Sequence, residues 1–136
     1  MKIEINRLND GFQLEGRNEE GNTVRMDASP DIGGTATGMR PMQLLLTALG
    51  ACGTIDIISI LKKQRQPLED IKITVTGERP NTTPAPFTGA HIHFKLFGKL
   101  DPDKVQKAVS LSVEKYCSVA ETINKTTKIT YSFEII

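Results

Sequence analysis

Apolar and polar side chains alternate with a period of two at both ends of the chain and twice in its middle. In residues 2–8 (KIEINRL), Ile3 and Ile5 fall on one face and Lys2, Glu4 and Asn6 on the other, the pattern of a half-buried strand. Asn9-Asp10-Gly11 reads as a turn, Phe12-Gln13-Leu14 starts a second strand, and Asn18–Gly21 is another turn. Asn22–Asp27 makes a short third strand, with Val24 and Met26 opposite Arg25. Residues 28–40 have three glycines, Pro30 and no period, a loop long enough to suggest a lid or interface segment. Alternation returns at 69–79 (Ile71, Ile73, Val75 inward), at 89–100 (Ile92, Phe94, Leu96 against His91, His93, Lys95) and at 128–136 (Ile129, Tyr131, Phe133).

Two stretches follow a helical period instead. Residues 41–61, PMQLLLTALGACGTIDIISIL, are almost unbroken apolar sequence with one charge, Asp56. Pro41 suits a first helical position, Lys62, Lys63 and Arg65 suit a last turn, and Pro67 ends the run. A helix apolar on nearly all sides is the central helix of a core. Gly50 and Gly53 inside it each cost about 1 kcal/mol relative to alanine, which points to close approach of another backbone, a symmetric helix pair being one option. Asp101-Pro102 opens a second helix to about Tyr116, and Ser118-x-x-Glu121 matches a capping box for a short third. The element order is βββ–α–ββ–α–α–β, an α+β chain with helices on mostly antiparallel sheet.

Composition narrows the picture. A chain of 136 residues is one domain by size, organised as an N-terminal meander and loop (1–40), a central helix (41–66) and a C-terminal sheet with helices (69–136). Net charge +1 favours neither nucleic acid nor acidic lipid. The start lacks the apolar core of a secretory signal, and two cysteines do not make a disulfide scaffold, so a reducing, cytoplasmic setting is expected. Residues 41–61 are long enough to span a bilayer, but Gln43, Thr47, Thr54, Asp56 and Ser59 argue against it.

The cysteines are the candidate chemistry, either inert core residues or a redox pair. Cys52 sits among glycines with Asp56 at i+4 on the same face. A carboxylate buried there needs a partner. Cys117 precedes the third helix, where unpaired N–H groups and the dipole favour a thiolate. Cys52 is about eleven residues into its helix, so any thiolate there needs a nearby cation: Arg17, Arg25 or Arg40. His91-x-His93 shares a strand face with Lys95; with no further ligand evident, it reads as a solvated face and no metal site or cofactor is expected.

Arg40–Asp56 (RPMQLLLTALGACGTID), with Ser112–Ala120 (SVEKYCSVA) downstream, resembles the OsmC/Ohr family over essentially the whole chain. The resemblance implies the OsmC-like fold: antiparallel sheets wrapped around long central helices in an intertwined homodimer. It implies thiol-dependent reduction of organic hydroperoxides, with Cys52 as the peroxidatic thiolate, Cys117 as the resolving thiol and Arg25, or else Arg17, as the activating cation. A dithiol reductant of the lipoylated-protein type would reset the pair. The sequence departs from the family pattern nine or ten residues before Cys52, where Met42 and Gln43 stand in place of a glutamate. Ten helical residues span about 15 Å, so the family's carboxylate serves the neighbouring subunit's cysteine. Its replacement keeps open a second reading, a non-enzymatic binder of small apolar ligands or a redox sensor.

Overall fold

Short alternating segments and turn signals at 9–11 and 18–21 fold the start of the chain into a meander. In the computed structural model, which describes residues 1–136, the chain forms two compact units, Met1–Leu45 and Leu46–Ile136. The first holds β1 (Glu4–Arg7), β2 (Leu14–Arg17) and β3 (Thr23–Met26) in an antiparallel sheet of order β1-β2-β3. Asn9 Oδ1 accepts from the Gly11 and Gln13 amides, and Asn18 Oδ1 from Asn22, so each turn is tied by its asparagine. Ile5 and Val24 lie on either side of Gly16 in register, and with Ile3 they remain exposed; the half-burial expected of β1 is not met within the chain.

The glycine-rich segment after β3 is pinned rather than free. Asp27, 3% exposed, accepts from the Ala28, Thr35 and Thr37 amides and from both threonine hydroxyls. These donors, the Thr35 amide foremost, hold its carboxyl down at about 2. A Cβ at Gly34 would fall 1.8 Å from the Ala28 carbonyl oxygen, so only glycine fits this fold-back. The segment therefore has the ties of a fixed Ω-like loop, not those of a lid.

The second unit carries β4 (Asp70–Glu78), β5 (Gly89–Phe97) and β6 (Lys128–Ile135) in order β4-β5-β6. β4 and β5 pair antiparallel as a hairpin; β5 and β6 pair parallel, because the helices between them carry the chain back to the same end. Helix α1 (Pro41–Lys63) begins in the first unit and continues into the second, which also holds α2 (Pro102–Leu111) and α3 (Ser118–Ile123). Leu49, Ile57 and Leu61 of α1, Phe94 and Leu96 of β5, and Val105, Ala108 and Val109 of α2 are fully buried together. Each such large side chain contributes roughly 1.5–3 kcal/mol. By length and a mean hydropathy of 2.0 α1 could cross a membrane, but these residues make it a core helix.

The end of α1 departs from expectation. Arg65 lies beyond the last turn with φ 54, the Gln66 amide donates to the Leu61 carbonyl at 2.9 Å, and the Arg65 amide to Lys62 at 3.0 Å. This is a Schellman ending, with arginine where glycine is usual. The glycine cluster also resolves differently. A Cβ on Gly50 would meet Val75 Cγ2 at 2.7 Å, and one on Gly53 would meet Ser112 Oγ at 3.4 Å and Phe94 Cζ at 3.6 Å. The close approach that these glycines permit is therefore to side chains of this chain's own sheet and helices.

Candidate functional site

Cys52 owes its position to α1. At 3.6 residues per turn its side chain falls between the buried stripe of Leu49, Gly53 and Ile57 and the exposed stripe of Ala48, Ala51 and Ile55, and it is half-buried. Asp56, one turn later, is set further toward the buried stripe. Its Oδ2 is shut off from solvent and has no hydrogen-bond partner.

Cys117 is delivered by a local change of helical pitch. After Leu111 the chain makes a π turn over Ser112–Tyr116, closed by the Cys117 amide donating to the Ser112 carbonyl at 2.9 Å. Such turns fit one extra residue into a helix and recur at functional sites. Ser112 anchors it: fully buried, it donates its hydroxyl to the Gly53 carbonyl at 2.8 Å, one residue from Cys52. The sequence reading placed Ser112 inside the second helix and gave it no role, because its partner Gly53 is brought to it only by the tertiary fold.

The cap of α3 is Cys117 itself. Its Sγ accepts from the Ala120 amide at 3.4 Å, whereas Glu121, the expected capping-box partner, turns to Asn124 and Lys125. The two cysteines are both free and pack in one core cluster, with Cys52 near enough to act on the Cys117 thiol. Burial is the largest influence on Cys117 and pushes it up to about 11 against the pull of the Ala120 amide. The helix end therefore does not make Cys117 a thiolate; desolvation outweighs it.

The three arginines belong to the first unit. Arg25 is exposed on β3 opposite Glu15, Arg17 lies 3.4 Å from the Glu15 carboxylate, and the Arg40 amide donates to Gln43 Oε1 at 2.9 Å. Gln43 thus closes back on the residue before α1, the second half of a capping box. His91 and His93 are not simply solvated. His91 contacts the Thr130 and Ser132 hydroxyls at 2.7 and 2.9 Å, and His93 contacts Ser132 at 2.7 Å and Glu134 at 3.2 Å. No group of three or more His, Cys, Asp or Glu side chains is placed to hold a metal ion.

A buried and a half-buried free thiol in one core cluster, one of them following a π turn, are a candidate dithiol. Comparison with known proteins gives the family and the fold. The OsmC-like protein family model matches residues 34–132. Protein YhfA of Escherichia coli K12 is 38% identical over 128 residues, 93% of this chain and 92% of its own. A hypothetical protein of Aquifex aeolicus VF5 superposes with a TM-score of 0.81 at 29% identity, over 99% of this chain and 96% of that one. A Legionella pneumophila structure described as an organic hydroperoxide resistance protein OsmC superposes at 0.73, over 98% and 97% of the two chains; its 18% identity speaks for the fold alone. The chain belongs to the OsmC-like protein family.

Proposed function

We propose that this protein is a cytoplasmic, thiol-dependent reductase of organic hydroperoxides. The observation that carries the reading is the packing of the free Cys52 and Cys117 in one core cluster. Cys52, the more accessible of the two, attacks the peroxide as the thiolate and becomes a sulfenic acid. Cys117 is pushed up to a pKa of about 11 by burial and packs in the same cluster as Cys52, which suits a resolving thiol rather than the first nucleophile. It condenses with the sulfenic acid, releasing water and closing the disulfide. A dithiol of the lipoylated-protein type then returns both cysteines to thiols. Arg25 is the cation proposed to favour the Cys52 thiolate, with Arg17 and Arg40 as alternatives; single alanine variants, read by Cys52 alkylation rate, distinguish them.

The active form proposed is a homodimer. Two apolar surfaces, each within one unit, support it: Ile55 (67% exposed) and Ile58 on α1, and Ile3, Ile5 and Val24 on the first sheet. Exposed apolar patches of this kind mark association surfaces.

The test is to add cumene hydroperoxide to reduced protein and follow thiol loss by mass spectrometry, with Cys52→Ser and Cys117→Ser as controls. A Cys52–Cys117 disulfide should form faster than free thiol reacts, Cys117→Ser should stop at the sulfenic acid, and Cys52→Ser should be inert. Wild-type oxidation no faster than free cysteine would favour the second reading, a binder or sensor without turnover, for which Met42 and Gln43 in place of a carboxylate are the supporting feature.

A further inference from the structure

β5 and β6 run parallel, and their register sets His91 beside Thr130, His93 beside Ser132 and Lys95 beside Glu134. The period of two puts all six on the face opposite the buried Ile92, Phe94 and Leu96. Their polar atoms form one unbroken chain. Thr130 Oγ1 lies 2.7 Å from His91 Nδ1, and His91 Nε2 lies 2.9 Å from Ser132 Oγ. Ser132 Oγ lies 2.7 Å from His93 Nδ1, and His93 Nε2 lies 3.2 Å from Glu134 Oε1. Lys95 Nζ reaches the same carboxylate oxygen at 3.1 Å. His93 foremost, then Lys95, holds the Glu134 carboxyl below the ordinary carboxylate range, so it is ionised at neutral pH. A carboxylate only accepts, so Nε2 carries the proton of a neutral His93 and Nδ1 its lone pair. The Ser132 hydroxyl then donates to Nδ1, His91 Nε2–H donates to Ser132 Oγ, and the Thr130 hydroxyl donates to His91 Nδ1. Every donor in the row meets an acceptor.

We propose that Ser132 is a nucleophile that takes acyl groups from activated esters, with His93 as its base and Glu134 positioning that base. A hydroxyl that donates to an imidazole, itself held by a carboxylate, is the relation that activates a serine for acyl transfer, and it is recognised by geometry. The row is open to a small ester with a good leaving group: the His93 side chain is 32% exposed, Glu134 is 45% exposed and Ser132 is half-buried. Ser132 Oγ attacks the ester carbonyl carbon, and its proton passes to His93 Nδ1, where Glu134 steadies the imidazolium. The new C–O bond forms, the bond to the leaving oxygen breaks, and the electron pair departs on an aryloxide that takes the proton from His93. The products are O-acyl Ser132 and the phenol, with no change in oxidation state. Water deprotonated by the same nitrogen then releases the acid and restores the serine. Neither cysteine takes part, so this activity stands apart from the peroxide chemistry.

The experiment treats the full chain with p-nitrophenyl acetate and follows acetylated peptides by mass spectrometry, with fragmentation separating Ser132 from Thr130 and Tyr131. Ser118 is the internal reference, an exposed serine hydrogen-bonded to neither histidine. Ser132 should be acetylated faster than Ser118 by about 10²-fold or more, the usual worth of a positioned base. His93→Gln should remove that advantage. Glu134→Gln should reduce it and move the pH midpoint of acetylation down, because the imidazolium formed in the step loses its counter-charge. The other charged groups facing the row, Lys95 and its β4 neighbour Lys72, stay in place in that variant. Urea unfolding checks the fold of each variant, and the Ser132-to-Ser118 ratio in the unaltered chain decides without any variant. A ratio near one, a ratio untouched by His93→Gln, or acetyl groups on the histidine rings in place of Ser132 overturns the proposal. An unmoved midpoint in Glu134→Gln overturns the part given to the carboxylate.

Discussion

Replacing Gly50 with alanine sets two opposed effects against each other. Alanine is better than glycine in a helix interior by about 1 kcal/mol, so on propensity alone the variant should be more stable. Its Cβ, however, would stand 2.7 Å from Val75 Cγ2 and 3.5 Å from Ile73 Cγ2. Val75 cannot swing aside, because a β-branched side chain on a strand has a stiff χ1 and β4 is held by its full ladder to β5. Overpacking of this kind costs about 1–3 kcal/mol, so the clash wins and the net destabilisation is about 1 kcal/mol, or roughly 3 °C in Tm for a chain of this length. The assay is urea unfolding at one fixed protein concentration, so that association does not shift with the variant. The decisive measurement is the same substitution in a Val75→Ala background. With Cγ2 gone the propensity gain stands alone, and Gly50→Ala should then stabilise by about 1 kcal/mol. A change of sign between backgrounds, a coupling of about 2 kcal/mol, is the expected result. Stabilisation in the wild-type background, or an equal effect in both, would refute the claim that the helix–sheet spacing is set by this contact.

Other outcomes follow from the same geometry. Arg65→Gly relieves a left-handed residue at the end of α1 and should stabilise by about 1 kcal/mol in the same unfolding assay. Asp27 has its folded pKa lowered from 3.8 to about 2, so its contribution is complete above 3.8 and is lost as pH falls through 2. Amide exchange at Thr35 and Thr37 should stay slow until pH approaches 2 in the wild type and be fast at every pH in Asp27→Asn. In Cys52→Ser, burial remains the largest influence on Cys117, so its alkylation midpoint should stay above the ordinary thiol value of 9.0. Ser112→Ala leaves the Gly53 carbonyl without its second donor and should cost about 1 kcal/mol while slowing disulfide closure, read by thiol titration after diamide.

Elements whose neighbours in sequence decide their burial were legible from the start. Ile92, Phe94 and Leu96 alternate with His91, His93 and Lys95, and the sheet buries the first set, because a period of two leaves no other choice. Helix α1 was legible from its length and apolarity. What escaped was set by tertiary contacts. Which groups Gly50 and Gly53 face depends on a strand 25 residues beyond Gly50 and on the π turn, neither visible in the local pattern. The cap of α3 was assigned to Ser118 because Ser118-x-x-Glu121 has the spacing of a capping box, yet the pitch change before Cys117 turns the thiol to the helix end. The direction of Cys117's pKa failed for a related reason: a helix end can be read from sequence, but the depth at which it is buried cannot.

That cap gives the sulfur two incompatible demands. The atom that closes the first turn of α3 is also the atom that would bond to Cys52. Any covalent change there weakens it as an acceptor, so the order of α3 and the redox state of the pair are thermodynamically linked, and the linkage is reciprocal. A contact that steadies α3 in its capped form makes the disulfide easier to reduce, and oxidation loosens the turn from Ser118 onward. The short helix is in this sense a reporter: its amide exchange reads the oxidation state of a sulfur that solvent barely reaches.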